Sequence, residues 1–342
     1  MKKKVRLTTG ISIAIYVAIL IVSIYLISKT TITSAFTQLE REMIQKSMAS
    51  CREVIANRIR QISIKLSDWS AWDDLFFFVD DRNAAFVKSN LNEITLTNLH
   101  IDAIIILDRN GEIVTSILSE EFSRINTPGK DIPKGMQRFL KSDSPFLQHK
   151  NCQDFSEGLV ILPTGPTILS SRPITKSDYS GNEMNGTILF AKAVNTNELK
   201  YLGNLVKNNI DIKQINQISA NDIYSNALLS LSNGSGNHIE ELDENRIVCF
   251  FPLADVSGKM HLIGSITITR EVNDLGRKTL NYFIFGLLFA GTLFSMAVYV
   301  PLEKEISKRI QAETDLIELR LRLNQLPRKL HGKTPRPAQN GF

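Results

Sequence analysis

The chain has 342 residues, a formal net charge of +5, 22% charged residues and three cysteines. That balance calls for ordinary globular structure, and the length allows about two domains. Cys51, Cys152 and Cys249 lie far apart without a CxxC motif, and the five histidines are scattered. A metal centre and a disulfide framework are therefore not expected, although one bridge with a leftover thiol stays open. Each cysteine reads as a small buried hydrophobe, and no cofactor is called for.

Residues 1–6 carry Lys2, Lys3, Lys4 and Arg6 and are expected to be a cytoplasmic N-terminus. Residues 7–28 are uncharged and long enough to cross a bilayer, for which about 20 apolar residues suffice. A signal peptide also opens on positive residues, but its apolar region is shorter and ends at a small-residue cleavage site, which is missing before Thr30. Residues 279–302 form a second uncharged run rich in Phe, Leu and Gly. Nine basic and five acidic residues follow from Pro301 onward, while Leu7 to Val300 holds 27 basic and 30 acidic ones. Lysine and arginine collect on the cytoplasmic side, so both termini are expected inside and residues 29–278 outside. The basic tails thus report topology, and no nucleic-acid partner is expected. The tail could rest on membrane lipid, though its charge is dilute.

From Lys29 to Ser67, apolar residues recur at threes and fours with neither Pro nor Gly, the spacing of a helix leaving the membrane. Leu66 to Asn83 then holds both tryptophans, Phe76-Phe77-Phe78 and five aspartates. Trp69 and Trp72, three apart, are expected on one helical face, as a pocket wall or as packing. Asp68 reads as a helix cap, and Asp73 or Asp74 as partner to a backbone group or an arginine. Asp80 to Asn83 reads as a turn and Ala84 to Leu99 as one further helix. Ile101–Leu107 and Glu112–Leu118 flank an Asp-Arg-Asn-Gly turn, a strong hairpin signal.

Strands are expected at Gly158–Leu162, Thr167–Ile174 and Gly186–Val194, completing a meander of about five, then a helix from Asn195 to Leu205. A further strand over Asp211–Asn221, a loop over Ser230–Asn237 and a hairpin of Arg246–Leu253 with Lys259–Thr269 lead to the second span. Asn185-Gly-Thr and Asn233-Gly-Ser match glycosylation acceptors, a pattern that chance supplies often. Helices first, a sheet next and a helix last make an α+β domain.

Asp68-Trp69-Ser70-Ala71-Trp72-Asp73-Asp74, Phe78-Val79-Asp80, Asn83, Asn90-Leu91, Leu107-Asp108-Arg109-Asn110-Gly111 and Gly186-Thr187-Ile188-Leu189 together resemble the CHASE4 domain. The resemblance covers roughly residues 62–206 and leaves 207–278 as a membrane-proximal, strand-rich part. It implies a PAS/Cache-like extracytoplasmic input domain between two membrane spans of a prokaryotic sensor, with a ligand left undefined.

Residues 303–342 read as a helical linker and a tail. Ala312, Leu316, Leu319, Leu323 and Leu326 form a seam of about two heptads before Pro327. No ATP-binding loop, kinase histidine box or cyclase motif follows, so no enzyme activity is expected of this chain. The alternatives are an input subunit that pairs with a separate cytoplasmic output protein, or the remnant of a truncated sensor kinase or cyclase.

The aspartates of the tryptophan stretch do not suit a hydrolase, whose paired carboxylates must flank one bond, nor an EF-hand. Arg172, on a strand expected to line a pocket, is the candidate for an anionic ligand because its fork grips carboxylates two-pronged. Trp69, Trp72, Asp73, Asp74, Ser171 and Arg172 are the ligand-binding candidates, in a sensor expected to be a homodimer that binds an unknown small molecule. A surface protein without a ligand is the alternative, and an extracytoplasmic hydrolase a distant third.

Overall fold

The computed structural model describes residues 2–120, 122, 132, 135–179 and 182–325. The chain divides into two compact units, Met1–Gln38 with Val272–Phe342, and Leu39–Glu271. Helix α1 (Lys2–Ser70) runs through both, and α7 (Glu271–Gln325) carries the second apolar run. Each is long and apolar enough to cross a membrane. Within the first unit they approach through glycines. A side chain at Gly291 would meet the Ile21 Cδ1 at 2.4 Å, and one at Gly276 the Phe36 ring at 2.9 Å. Small residues of this kind let apolar helices pack where no hydrophobic drive exists.

In the second unit α1 buries one stripe, Ile44, Met48, Cys51, Ile55, Arg58, Ile62 and Leu66, at steps of three and four. The expected helix therefore forms and continues past Ser67 into the tryptophan stretch, so Asp68 lies inside its last turn rather than capping a helix start. Helix α2 (Asp73–Asp81) follows after two residues, and Arg82 closes it in the left-handed region. The single helix expected over Ala84–Leu99 is two, α3 (Ala84–Asn90) and α4 (Glu93–Leu99). Asn92 separates them because its side chain accepts from the Thr95 N–H, at 3.1 Å, and starts a new helix.

The distal sheet comprises β1 (Ala103–Leu107), β2 (Ile113–Leu118), β3 (Ser156–Leu162), β4 (Gly165–Pro173) and β5 (Thr187–Ala193). Its order is β2-β1-β5-β4-β3, not a meander, since β5 inserts between β1 and β4. The physical reason is burial. β1 is buried at every residue and β5 through its first five, so both take central places. One face, with Ile104, Ile106, Ile168, Ile188 and Phe190, packs in the core that α1 to α4 share. The other, with Ile105, Leu107, Leu169 and Leu189, is filled by Phe122, Met136 and Phe146.

Helix α5 (Thr196–Val206), capped by Asn195, leads to a second antiparallel sheet: β6 (Asn209–Gln214), β7 (His238–Asp243), β8 (Arg246–Ala254) and β9 (Met260–Thr269). Its order, β6-β9-β8-β7, repeats that of the distal sheet with the second strand left out. The chain is thus α+β, with two antiparallel sheets of matching strand order following one long helix. The strand expected over Asp211–Asn221 stops at Gln214, and sequence reasoning missed α6 (Tyr224–Ser232) and β7. β7 is an edge strand with Glu240, Glu241 and Asp243, and charge at an edge hides the alternation that marks a strand. All three cysteines are free and buried.

Candidate sensory site

The tryptophan stretch is a joint between helix and sheet. α1 ends at Ser70, and Ala71 forms an isolated parallel bridge with Thr175, whose N–H donates to the Ser70 carbonyl at 2.8 Å. Trp69 is on α1, whereas Trp72 lies beyond its end in extended backbone, as the residue that opens α2. The two do not share a helical face. The break instead turns their rings edge-on, with centroids 5.6 Å apart. Trp69 meets Phe190 of β5 at 6.0 Å, and Trp72 meets Phe86, which stacks on Phe78 at 4.5 Å. Edge-to-face and offset stacks of this kind add about 0.5–1.5 kcal/mol each beyond area burial.

Asp73 accepts from the Ser177 N–H at 2.8 Å and from its hydroxyl at 3.1 Å, tying α2 to the loop after β4, while Asp74 is exposed. Ser171 and Arg172 are neighbours on β4 and so point to opposite faces. Ser171 pairs with Leu189 on the face away from α1, and Arg172 with Ile188 on the α1 side. The six candidates therefore do not converge on one point. Arg172 stacks on Phe155 at 4.8 Å and has no carboxylate within ion-pair distance among the described residues, so Asp73 is not its partner. Burial lowers its pKa, against Tyr179 and Glu157, which raise it.

Four buried polar atoms without a hydrogen-bond partner among the described residues lie along the end of β4 and just beyond it, on both faces of the sheet. These are the hydroxyls of Ser170, Ser171 and Thr175 and the Arg172 Nε. Such groups are rare in folded proteins, and each normally marks a ligand, a water or stored strain. Ser170 and Thr175 escaped sequence reasoning because short hydroxyl residues in an apolar strand carry no pattern of their own.

Beside this end lies a cavity of about 280 Å³, walled by Arg109, Leu147, His149, Pro173, Met184 and Gly186 among others. Burial holds His149 below the ordinary imidazole pKa, although Asp154 and the Phe146 carbonyl pull it up. One fully buried side chain ties the cavity wall to the helices. The Asn185 Oδ1 accepts from the Arg109 Nε at 2.7 Å, while its Nδ2 donates to the Phe76 carbonyl at 2.7 Å and to Asp80 at 2.8 Å. Asn185 is thereby a packing centre, not an accessible glycosylation acceptor. Gly186 follows with φ +98°, where an added Cβ would sit 2.0 Å from the Leu107 carbonyl oxygen.

A second network also escaped notice. Arg58 of α1 donates from Nε to Glu198 of α5 at 2.5 Å, and from its guanidinium Nη2 to the His100 carbonyl at 3.3 Å. Lys192 of β5 bridges Asp102, at 3.1 Å, and Glu198, at 3.9 Å. These four charges line a cavity of about 560 Å³. No sequence pattern marks them, since 140 residues separate Arg58 from Glu198.

Residues 54–213 match the CHASE4 domain family. The methanogenesis regulatory histidine kinase FilI of Methanothrix harundinacea is 25% identical over 256 residues, which cover 73% of this chain. The chain spans 27% of that kinase's length. Among solved structures, the periplasmic domain of Vibrio cholerae LuxQ is 13% identical, with TM-score 0.43, covering 66% of this chain and 98% of that one. The sensor domain of the V. cholerae histidine kinase DctB is 11% identical, with TM-score 0.40, covering 67% and 97%. Residues 54–213 are thus similar to the CHASE4 domain, and Asp80, Arg109, Asn185 and Gly186 fall within the matched span.

Proposed function

We propose that this CHASE4 chain is a membrane-anchored sensor whose outer region, residues 29–278, binds a small anionic molecule and relays a conformational change across the membrane. The observation that carries the reading is the group of unpartnered buried polar atoms at the end of β4, beside a cavity whose wall Asn185 links to α2. A carboxylate would complete Arg172 and, two residues back on the same face of β4, Ser170, and displace the loop that Asp73 holds through Ser177. Motion there reaches α1 through Trp72 and Trp69. The two spans leave both termini in the cytoplasm, a homodimer brings two α1 helices together, and a histidine-kinase module, in this polypeptide or another, receives the signal.

The test is thermal-shift and calorimetric screening of the detergent-solubilised chain against short mono- and dicarboxylates. The expected result is saturable stabilisation by at least one of them, reduced tenfold or more in affinity by Arg172→Gln. Absence of any shift across the panel refutes ligand binding and favours a surface protein. That second reading draws on the face of the distal sheet away from α1, which Phe146 and Phe122 already fill.

A further inference from the structure

The turn between β8 and β9 exposes Ser257, Gly258 and Lys259 but turns Val256 inward. It rests on the distal sheet. The Val256 N–H donates to the Leu159 carbonyl of β3 at 2.9 Å, and its side chain packs with the cluster of Phe146, Val160 and Leu162. The Val256 side chain lies over Gly158, where an added Cβ would be in ordinary contact with the Val256 Cβ at 3.5 Å. The turn is also stiff. Asp255 accepts from the Ser257 N–H at 2.9 Å and its hydroxyl at 2.5 Å, and its other oxygen meets the His261 ring at 2.8 Å.

Behind the turn, β8 and β9 stay paired from Ala254 with Met260 to Arg246 with Thr269. β9 has ten residues, so it spans about 30 Å. Its far end is clamped as firmly as its tip. Arg270 donates its N–H to the Asn245 carbonyl at 2.7 Å and its guanidinium to Glu40 of α1, at 2.9 and 3.2 Å. A third contact reaches Glu241 of β7 at 3.0 Å. Helix α7 begins at the next residue.

We infer that the β8–β9 hairpin is a strut: it takes up displacement of β3 at Val256 and delivers it to Arg270, where α1 and the start of α7 are held together. This route is separate from the one through the tryptophans, and it leaves the distal core on the face away from α1. It stands whether or not the outer region binds an anion. The proximal sheet then serves to keep the hairpin straight rather than to bind a ligand itself. Its own core, Tyr224, Leu231, Phe250 and Ile263, is filled.

Coupling between two ends of one element is reciprocal, and it amounts to roughly 5–150-fold where it has been measured. Amide hydrogen exchange on the full chain in nanodiscs reads both ends. Arg270→Gln is expected to speed exchange of the Val256 amide about fivefold or more, and Val256→Gly that of the Arg270 amide to a similar degree. Glu40→Gln, which keeps the arginine, is expected to act on Val256 in the same direction if Arg270→Gln fails to fold. Ile263→Val, a mild cavity in the proximal core, separates strut from general loosening, since it should leave the Leu159 and Val256 amides within twofold of the parent. A change confined to the mutated end in both reciprocal variants overturns the strut. Equal loosening by Ile263→Val overturns it as well.

Discussion

Removing Glu198 leaves Arg58 as a buried charge without its counter-ion. The two side chains are 5% and 7% exposed, and the guanidinium would keep only the His100 carbonyl and the Tyr201 ring, 5.3 Å away. Breaking a buried pair by deleting one partner costs about 3–5 kcal/mol, because the remaining charge cannot recover its hydration. Glu198→Leu should therefore lower the melting temperature of the Leu39–Glu271 unit by roughly 6–20 °C, at about 2–4 °C per kcal/mol for a unit of this size. The double variant Arg58→Met/Glu198→Leu removes both charges, and apolar replacement of a buried pair is often neutral or stabilising. It should recover most of the loss. Thermal unfolding of the detergent-solubilised chain, followed by circular dichroism in a double-mutant cycle, gives the coupling. A single variant that costs less than about 1 kcal/mol, or a double variant worse than Glu198→Leu, would refute the reasoning.

Gly186→Ala should cost at least about 3 kcal/mol, the upper range of backbone strain, since its Cβ would strike the Leu107 carbonyl; denaturant titration measures it. Tyr224→Phe removes a hydroxyl that bonds Asp211 and Ser265, both at 2.8 Å, and should lose about 1–3 kcal/mol in the same titration. Burial pushes the Cys51 and Cys249 thiols up to about 12, so alkylation at pH 8 should stay negligible until denaturant is added. Asp222 is held below its ordinary pKa by the hydrogen bond from Lys213, against burial, which raises it. The stability it adds is present above the unfolded carboxylate value, near pH 4, and is lost as pH falls through the folded one. Asp222→Asn should therefore flatten the acid limb of the stability curve.

Much of the architecture was legible before any coordinates. An uninterrupted apolar run long enough to cross a bilayer, helical spacing without Pro or Gly, and an Asx-Gly turn between apolar strands are local signals, set by chain chemistry within a few residues. They located the β1–β2 and β8–β9 hairpins and α5 to within two residues and the C-terminal end of α1 to within three, while α1 begins five residues before the expected span. The CHASE4 stretch was visible for a related reason: two tryptophans and a ladder of aspartates are uncommon enough to identify a family without a fold.

What the tertiary structure decided is where those residues meet. Strand order is a long-range property, and no local pattern says that β5 slides between β1 and β4. The same holds for Trp69 and Trp72, whose spacing suggests one helix face although a break between them turns the rings edge-on. Ser171 and Arg172, adjacent in sequence, part to opposite faces through the pleat of β4. Asn185, Arg58 with Glu198, and Val256 on Leu159 matter only because folding joins segments 76 to 140 residues apart. Sequence alone sets which segments become helix or strand, since that choice is made between near neighbours. The contacts that join helix, sheet and cavity wall within residues 39–271 are made only when the chain closes on itself.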